Sequence, residues 1–174
     1  ISGDGSHNAM FYPPAKPMQA PAGYDLYTEV RKHDVLLAYP YQSIRPFIRM
    51  LLCAAADPDV VSIKMTLYRM ASDSQIVNAL IAAAGFDDYK VHSKLTLITS
   101  RKDGKYKYLT QIGTGNYNEK TSELYTDLSF ITPRQEIGEE ASAVFNNMAL
   151  QRLTSEADTM LVAPLRFKSV LLEE

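Results

Sequence analysis

The sequence predicts an α/β fold, and three observations carry that prediction. Segments with a helical apolar period interleave with short segments rich in β-branched and aromatic residues. Proline, glycine and aspartate punctuate the boundaries between these segments. The chain has 174 residues, 46% of them hydrophobic and 22% charged, which suits one globular domain with a packed core.

Each element follows from its local pattern. Residues 1–23 are set apart as an irregular linker or a remnant foreign to the fold, since residues 11–21 (FYPPAKPMQAP) hold four prolines. Structure is expected from Tyr24, with a short helix over Asp25–His33 and a buried strand at Val35–Ala38 stopped by Pro40. Ser43 offers an N-cap for a helix to Ala56, with Pro46 early, where proline is tolerated. Phe47, Ile48, Leu51, Leu52 and Ala55 would form its inner face. Val60–Tyr68 reads as a strand, and Ser72 or Asp73 caps a helix through Ala84. Residues 90–99 (KVHSKLTLIT) alternate and read as a strand, which a turn at Arg101–Gly104 joins to a second over Lys105–Ile112. A strand over Glu123–Ile131 precedes a helix over Ile137–Leu150, with Ile137, Ala141, Val144, Phe145 and Met148 facing inward. A last strand (Met160–Ala163) and a helix (Arg166–Glu173) close the chain.

Charge and cysteine content exclude several function classes. Lys and Arg total 18 against 20 Asp and Glu, a formal charge of −2, so bulk charge argues for neither nucleic acid nor an anionic membrane. A single cysteine, Cys53, excludes an internal disulfide and a four-cysteine zinc site, and reads as a core residue. No apolar run approaches the length of a membrane span and no signal peptide is visible, so a cytoplasmic domain is expected. His33 at a helix end reads as a carbonyl cap, and Glu139 and Glu140 as a solvated helix face.

Three features carry chemistry. His92 and Lys94 in Val91-His92-Ser93-Lys94-Leu95 would share one face of a strand, about 7 Å apart at a rise of 3.3 Å per residue. A buried imidazole beside an ammonium suits attack on a phosphoryl group, because the positive charge holds phosphate oxygens and favours the neutral nucleophile. Alone, the pair reads more readily as a structural histidine and a snorkelling lysine. Gly113-Thr114-Gly115-Asn116 follows the strand paired with the histidine strand. Its glycines allow close backbone approach, and successive N–H groups can cradle an anion, although such a loop is as often a simple turn. Arg69, after Thr66-Leu67-Tyr68, sits at the carboxyl end of a strand and offers a fork for phosphate or a partner for Asp73.

With these features in place, the chain resembles polyphosphate kinases of the first type, in the first of their two phospholipase-D-like catalytic domains. The resemblance runs through DVLLAYPYQSIRPFIRMLLCAAADPDVVSIKMTLYRMASDSQIVNALIAAA, KVHSKLTLI and QIGTGNYNEKTSELYTDLSFIT, and continues into LVAPLRFKSVLLEE. It implies a mixed sheet flanked by helices, with a catalytic domain over residues 24–158 and the start of a second domain over 159–174. It implies reversible transfer of the ATP γ-phosphoryl group to inorganic polyphosphate, with Mg2+, through a phosphohistidine at His92. Lys94 matches the motif lysine, and Arg69 an arginine beside phosphate and magnesium that neutralises charge without ligating the metal. Gly113, Thr114, Gly115 and Asn116 match the phosphate loop, and Tyr125 a tyrosine at the nucleotide. The family also implies homo-oligomers and a peripheral membrane association, with no nucleic acid partner.

The chain departs from the family after Ala84, where several dozen residues are absent, including a second phosphate-site arginine. Were Val60–Tyr68 and Val91–Thr99 parallel neighbours, their crossover would lack a strand. The chain also stops where a second histidine-bearing domain begins, so it reads as a fragment inactive alone. The alternatives are a phospholipase-D-like phosphodiesterase and a non-catalytic polyphosphate-binding fragment. The diesterases' Asp soon after H-x-K has no counterpart in Leu95–Ser100.

Overall fold

The computed structural model describes residues 16–66, 92–117, 119–150, 152 and 159–163. Arg69 and the helices expected over 72–84 and 166–173 lie outside them. The α/β class holds. In chain order the elements are α1 (Leu26–Glu29), β1 (Val35–Tyr39), α2 (Arg45–Ala56), β2 (Val60–Met65), β3 (Leu95–Lys102), β4 (Lys105–Gly113), α3 (Glu119–Ser122), β5 (Asp127–Thr132) and α4 (Gln135–Ala149).

The strands form one sheet in the order β1-β5-β4-β3-β2. Every pairing among these strands is antiparallel, including β2 with β3, so neither the mixed character nor a parallel β2–β3 pair is seen among the described strands. The β3–β4 hairpin explains itself locally. Lys102 pairs with Lys105, and Asp103 (φ 50°) and Gly104 (φ 75°) make the two-residue turn that suits strand twist.

Helices α1 and α2 cover one face, where Val30, Leu37, Tyr39, Phe47, Met50, Ala54, Ile98 and Ile131 are buried. Helix α4 covers the other, with Ala141 and Val144 against Leu95 and Leu97. Strand β3 lies between these layers, which is why Leu95 to Ile98 are all buried despite strand alternation. The α2 stripe is turned from the expected one: Phe47, Met50 and Ala54 are buried, while Leu52 is 66% exposed. Ile44 occupies the N-cap, although Ser43 Oγ still accepts the Arg45 N–H at 3.2 Å. His33 faces the Glu29 carboxylate at 3.8 Å rather than helix carbonyls.

Residues 160–163 form no strand. Met160 and Val162 instead pack against the α4 cluster, and the Glu140 carboxylate accepts N–H bonds from Thr159 (2.9 Å) and Met160 (2.7 Å). Glu140 is therefore a docking group and not a solvated one. No helix among the described residues is long and apolar enough to cross a membrane.

Candidate functional site

Antiparallel pairing decides which residues meet. The carboxyl ends of β1, β2 and β4 and the amino ends of β3 and β5 converge at one end of the sheet. Tyr39, Thr66, Lys94, Gly113 and Asp127 stand at those ends. The histidine motif and the glycine loop, about 20 residues apart in sequence, are joined there by a bond from the Gly113 N–H to the Lys94 carbonyl at 2.8 Å. A Cβ on Gly113 would lie 3.5 Å from Lys94 Cβ, so the two backbones run side by side.

The motif itself departs from expectation. Strand β3 starts at Leu95, so His92 and Ser93 precede the sheet and are exposed, where a buried strand imidazole is expected. Lys94, the residue just before the strand, is buried, with 8% of its surface exposed. The Lys94 Nζ turns back and donates to the His92 carbonyl at 2.7 Å. A buried ammonium without such a partner would cost several kcal/mol, which favours this inward contact.

The glycine loop also differs from a bare anion cradle. The N–H groups of Gly113 and Thr114 are bonded to Lys94 O and to Leu128 O (3.0 Å), so the first two amides belong to the sheet. The Thr114 hydroxyl donates to Asp127 at 2.8 Å and accepts the Leu128 N–H at 2.9 Å. Gly115 has no room for a side chain, because a Cβ would overlap the Asp127 carboxylate. Beneath the loop lies a pocket of about 20 Å³, the size of a water site, lined by Tyr39, Gln111, Asn116, Tyr117, Asp127 and Ser129 among others.

Two polar atoms lining this pocket, Tyr39 Oη and Asn116 Oδ1, are buried without a hydrogen-bond partner. Around them, Gln111 Nε2 donates to Ser129 Oγ at 2.9 Å, and the Tyr117 hydroxyl donates to Gln111 Oε1. Tyr117 also stacks on Phe47, with centroids 5.7 Å apart. Burial pushes the Tyr39 phenol up to about 12 and raises Tyr117 further, so both remain protonated donors at neutral pH. A phenol O–H donor and an amide oxygen acceptor suit a small neutral polar guest such as water.

Tyr125 stands apart, in the turn between α3 and β5 rather than in a strand, with 63% of its surface exposed. Three contributors escape the sequence reading. Tyr39 looks like one more apolar strand residue, Asp127 like a strand-end carboxylate, and Thr66 like an ordinary β-branched residue. Only a carboxylate opening the strand after a G-x-G loop offers a local signal, for Asp127.

The polyphosphate kinase C-terminal domain 1 family model matches residues 25–85 and 83–154. The polyphosphate kinase of Helicobacter pylori (strain ATCC 700392 / 26695) is 33% identical over 186 aligned positions, covering 86% of this chain and 28% of the relative. That of Bacillus anthracis is 32% identical, covering 87% and 27%. The chain thus spans little more than a quarter of these relatives. The 186 positions take in about 150 residues of this chain, so roughly three dozen positions of the relative lack a counterpart. A polyphosphate kinase structure from Porphyromonas gingivalis shares the fold, with a TM-score of 0.71 at 24% identity over 99% of this chain and 35% of that one.

Proposed function

Because the chain belongs to the polyphosphate kinase family, through its C-terminal domain 1, we propose that it forms one wall of an ATP:polyphosphate phosphotransferase site. The carrying observation is the Gly113–Lys94 bond, which holds H-x-K and G-T-G-N at one sheet end. A ring nitrogen of His92 attacks the γ-phosphorus of ATP. The N–P bond forms, the P–O bond to ADP breaks, and ADP leaves with the electron pair. A terminal oxygen of polyphosphate then takes the phosphoryl group, the N–P bond breaks and the imidazole is regenerated. Exposure of His92 supports this reading, since both phosphoryl partners are bulky anions.

Charge neutralisation dominates such transfers. Lys94 turns its ammonium from the His92 carbonyl toward phosphate oxygens, and Arg69 joins it from the chain beyond β2. Gly113, Thr114 and Gly115 shape the floor, Asn116 orients phosphate, and Tyr125 meets the nucleotide base. No group of three carboxylate, imidazole or thiolate side chains among the described residues could hold a metal. The residues described do not form a ready-made Mg2+ site, so the ion is proposed to arrive on the nucleotide phosphates. A cytoplasmic, oligomeric and peripherally membrane-attached enzyme belongs to the same proposal.

The test is covalent labelling by γ-labelled ATP, in the longest natural form of the protein. Acid-labile label that disappears in His92→Ala is expected. Labelling at full rate without His92 would overturn the assignment. Hydrolysis of a simple phosphodiester would point to the diesterase instead, and polyphosphate binding without label to a non-catalytic role.

A further inference from the structure

We infer that Thr66 is the positioning residue that sets the His92–Lys94 segment for phosphoryl acceptance, an inference that rests on the phosphohistidine reading. Thr66 is the first residue after β2 and is half-buried. Its N–H donates to the Leu95 carbonyl at 3.0 Å, as a last rung of the β2–β3 ladder. Its hydroxyl continues where the ladder stops. Oγ1 accepts the Leu95 N–H at 2.9 Å and donates to the Ser93 carbonyl at 2.8 Å, with the Leu95 carbonyl farther off at 3.3 Å. One side chain therefore grips the backbone on both sides of Lys94.

The other contacts complete the grip. Gly113 N–H holds the Lys94 carbonyl at 2.8 Å and Lys94 Nζ holds the His92 carbonyl at 2.7 Å. The three consecutive carbonyls of residues 92–94 thus have donors from Lys94, Thr66 and Gly113 respectively. Of these donors, Lys94 turns toward phosphate in the proposed reaction, and Gly113 is fixed by β4. Thr66 is the side chain that, among the described residues, holds the segment in place when Lys94 leaves it. Displacing a reacting group by about 1 Å costs on the order of 100-fold in rate, so loss of this grip is read in the transfer step and not in binding. Thr66→Val keeps shape and β-branching but removes the hydroxyl, while Thr66→Ser keeps the hydroxyl.

The experiment compares wild type, Thr66→Val, Thr66→Ser and His92→Ala in single-turnover labelling by γ-labelled ATP, again in the longest natural form. The expected result is a maximal labelling rate about 10- to 100-fold lower in Thr66→Val. The half-saturating ATP concentration should stay within about twofold, and Thr66→Ser should keep most of the rate. A purely structural role would lower the melting temperature and leave the rate per folded molecule unchanged. Wild-type rates in Thr66→Val, or equal losses in Val and Ser, overturn the inference. If Thr66→Val does not fold, Thr66→Ala against Thr66→Ser is read by the same criterion. An unlabelled wild type, or label surviving in His92→Ala, overturns the phosphohistidine reading instead.

Discussion

At the residue scale, two positions show how strongly a neighbour constrains a side chain. Gly115 faces an Asp127 carboxylate that Thr114 holds at 2.8 Å, so the carboxylate cannot retreat without breaking that bond. Gly115→Ala should cost about 1–3 kcal/mol, measured as a lower urea midpoint. Adding Asp127→Ala should recover much of the loss, and simple additivity of the two would refute the contact. Asp57 shows the electrostatic counterpart. The Asp59 N–H, then the Arg31 guanidinium (2.6 Å) and the Tyr27 hydroxyl, hold its carboxyl below the ordinary 3.8. A depressed carboxyl contributes stability above its unfolded value, and the contribution is lost as pH falls through the folded one. The gap in unfolding midpoint between wild type and Asp57→Asn should therefore be full at neutral pH and close in acid below about pH 4. A gap that widens in acid would be the wrong sign.

At the element scale, docking of α4 on β4 sets propensity against packing. Gly138 is buried in the first turns of α4, and a Cβ there would collide with Tyr108 at its own Cβ and Cγ, the least movable part of the ring. Alanine gains up to about 1 kcal/mol of helix propensity over glycine. Overpacking costs about 1–3 kcal/mol, so packing wins. Gly138→Ala should lower the melting temperature, and a more stable variant would mean that α4 can move off the sheet at little cost.

At the scale of the whole molecule, two apolar clusters on opposite faces share one five-stranded sheet. Leu97 belongs to the α4 side and is fully buried. Leu97→Ala should cost about 2–5 kcal/mol. Because β3 contributes Ile98 to one cluster and Leu97 to the other, loss of one face should unfold both. Far-UV and tyrosine signals should fall in one transition. Two separated transitions would show that the faces are independent units. The same sheet carries the site at one end, so variants in either cluster should reduce labelling only in proportion to the unfolded fraction.

The local pattern by itself determined most element types and the candidate motifs. The helical period of α2 and α4, the Asp103-Gly104 turn and the Gly113–Asn116 loop are readable because their signals lie within a few residues. Tertiary structure decided the rest, because hydrogen-bond partners far apart in sequence cannot be read from a local window. Remote pairing made β2 and β3 antiparallel, and contacts across the sheet face turned the α2 stripe toward Met50. Likewise the ladder ends at Leu95, leaving His92 exposed, and Thr66 takes up the amide and carbonyl that the ladder no longer serves. A buried polar group must find a partner wherever the fold places one, and that requirement, not sequence proximity, brought Thr66, Lys94, Gly113 and Asp127 to one end of the sheet.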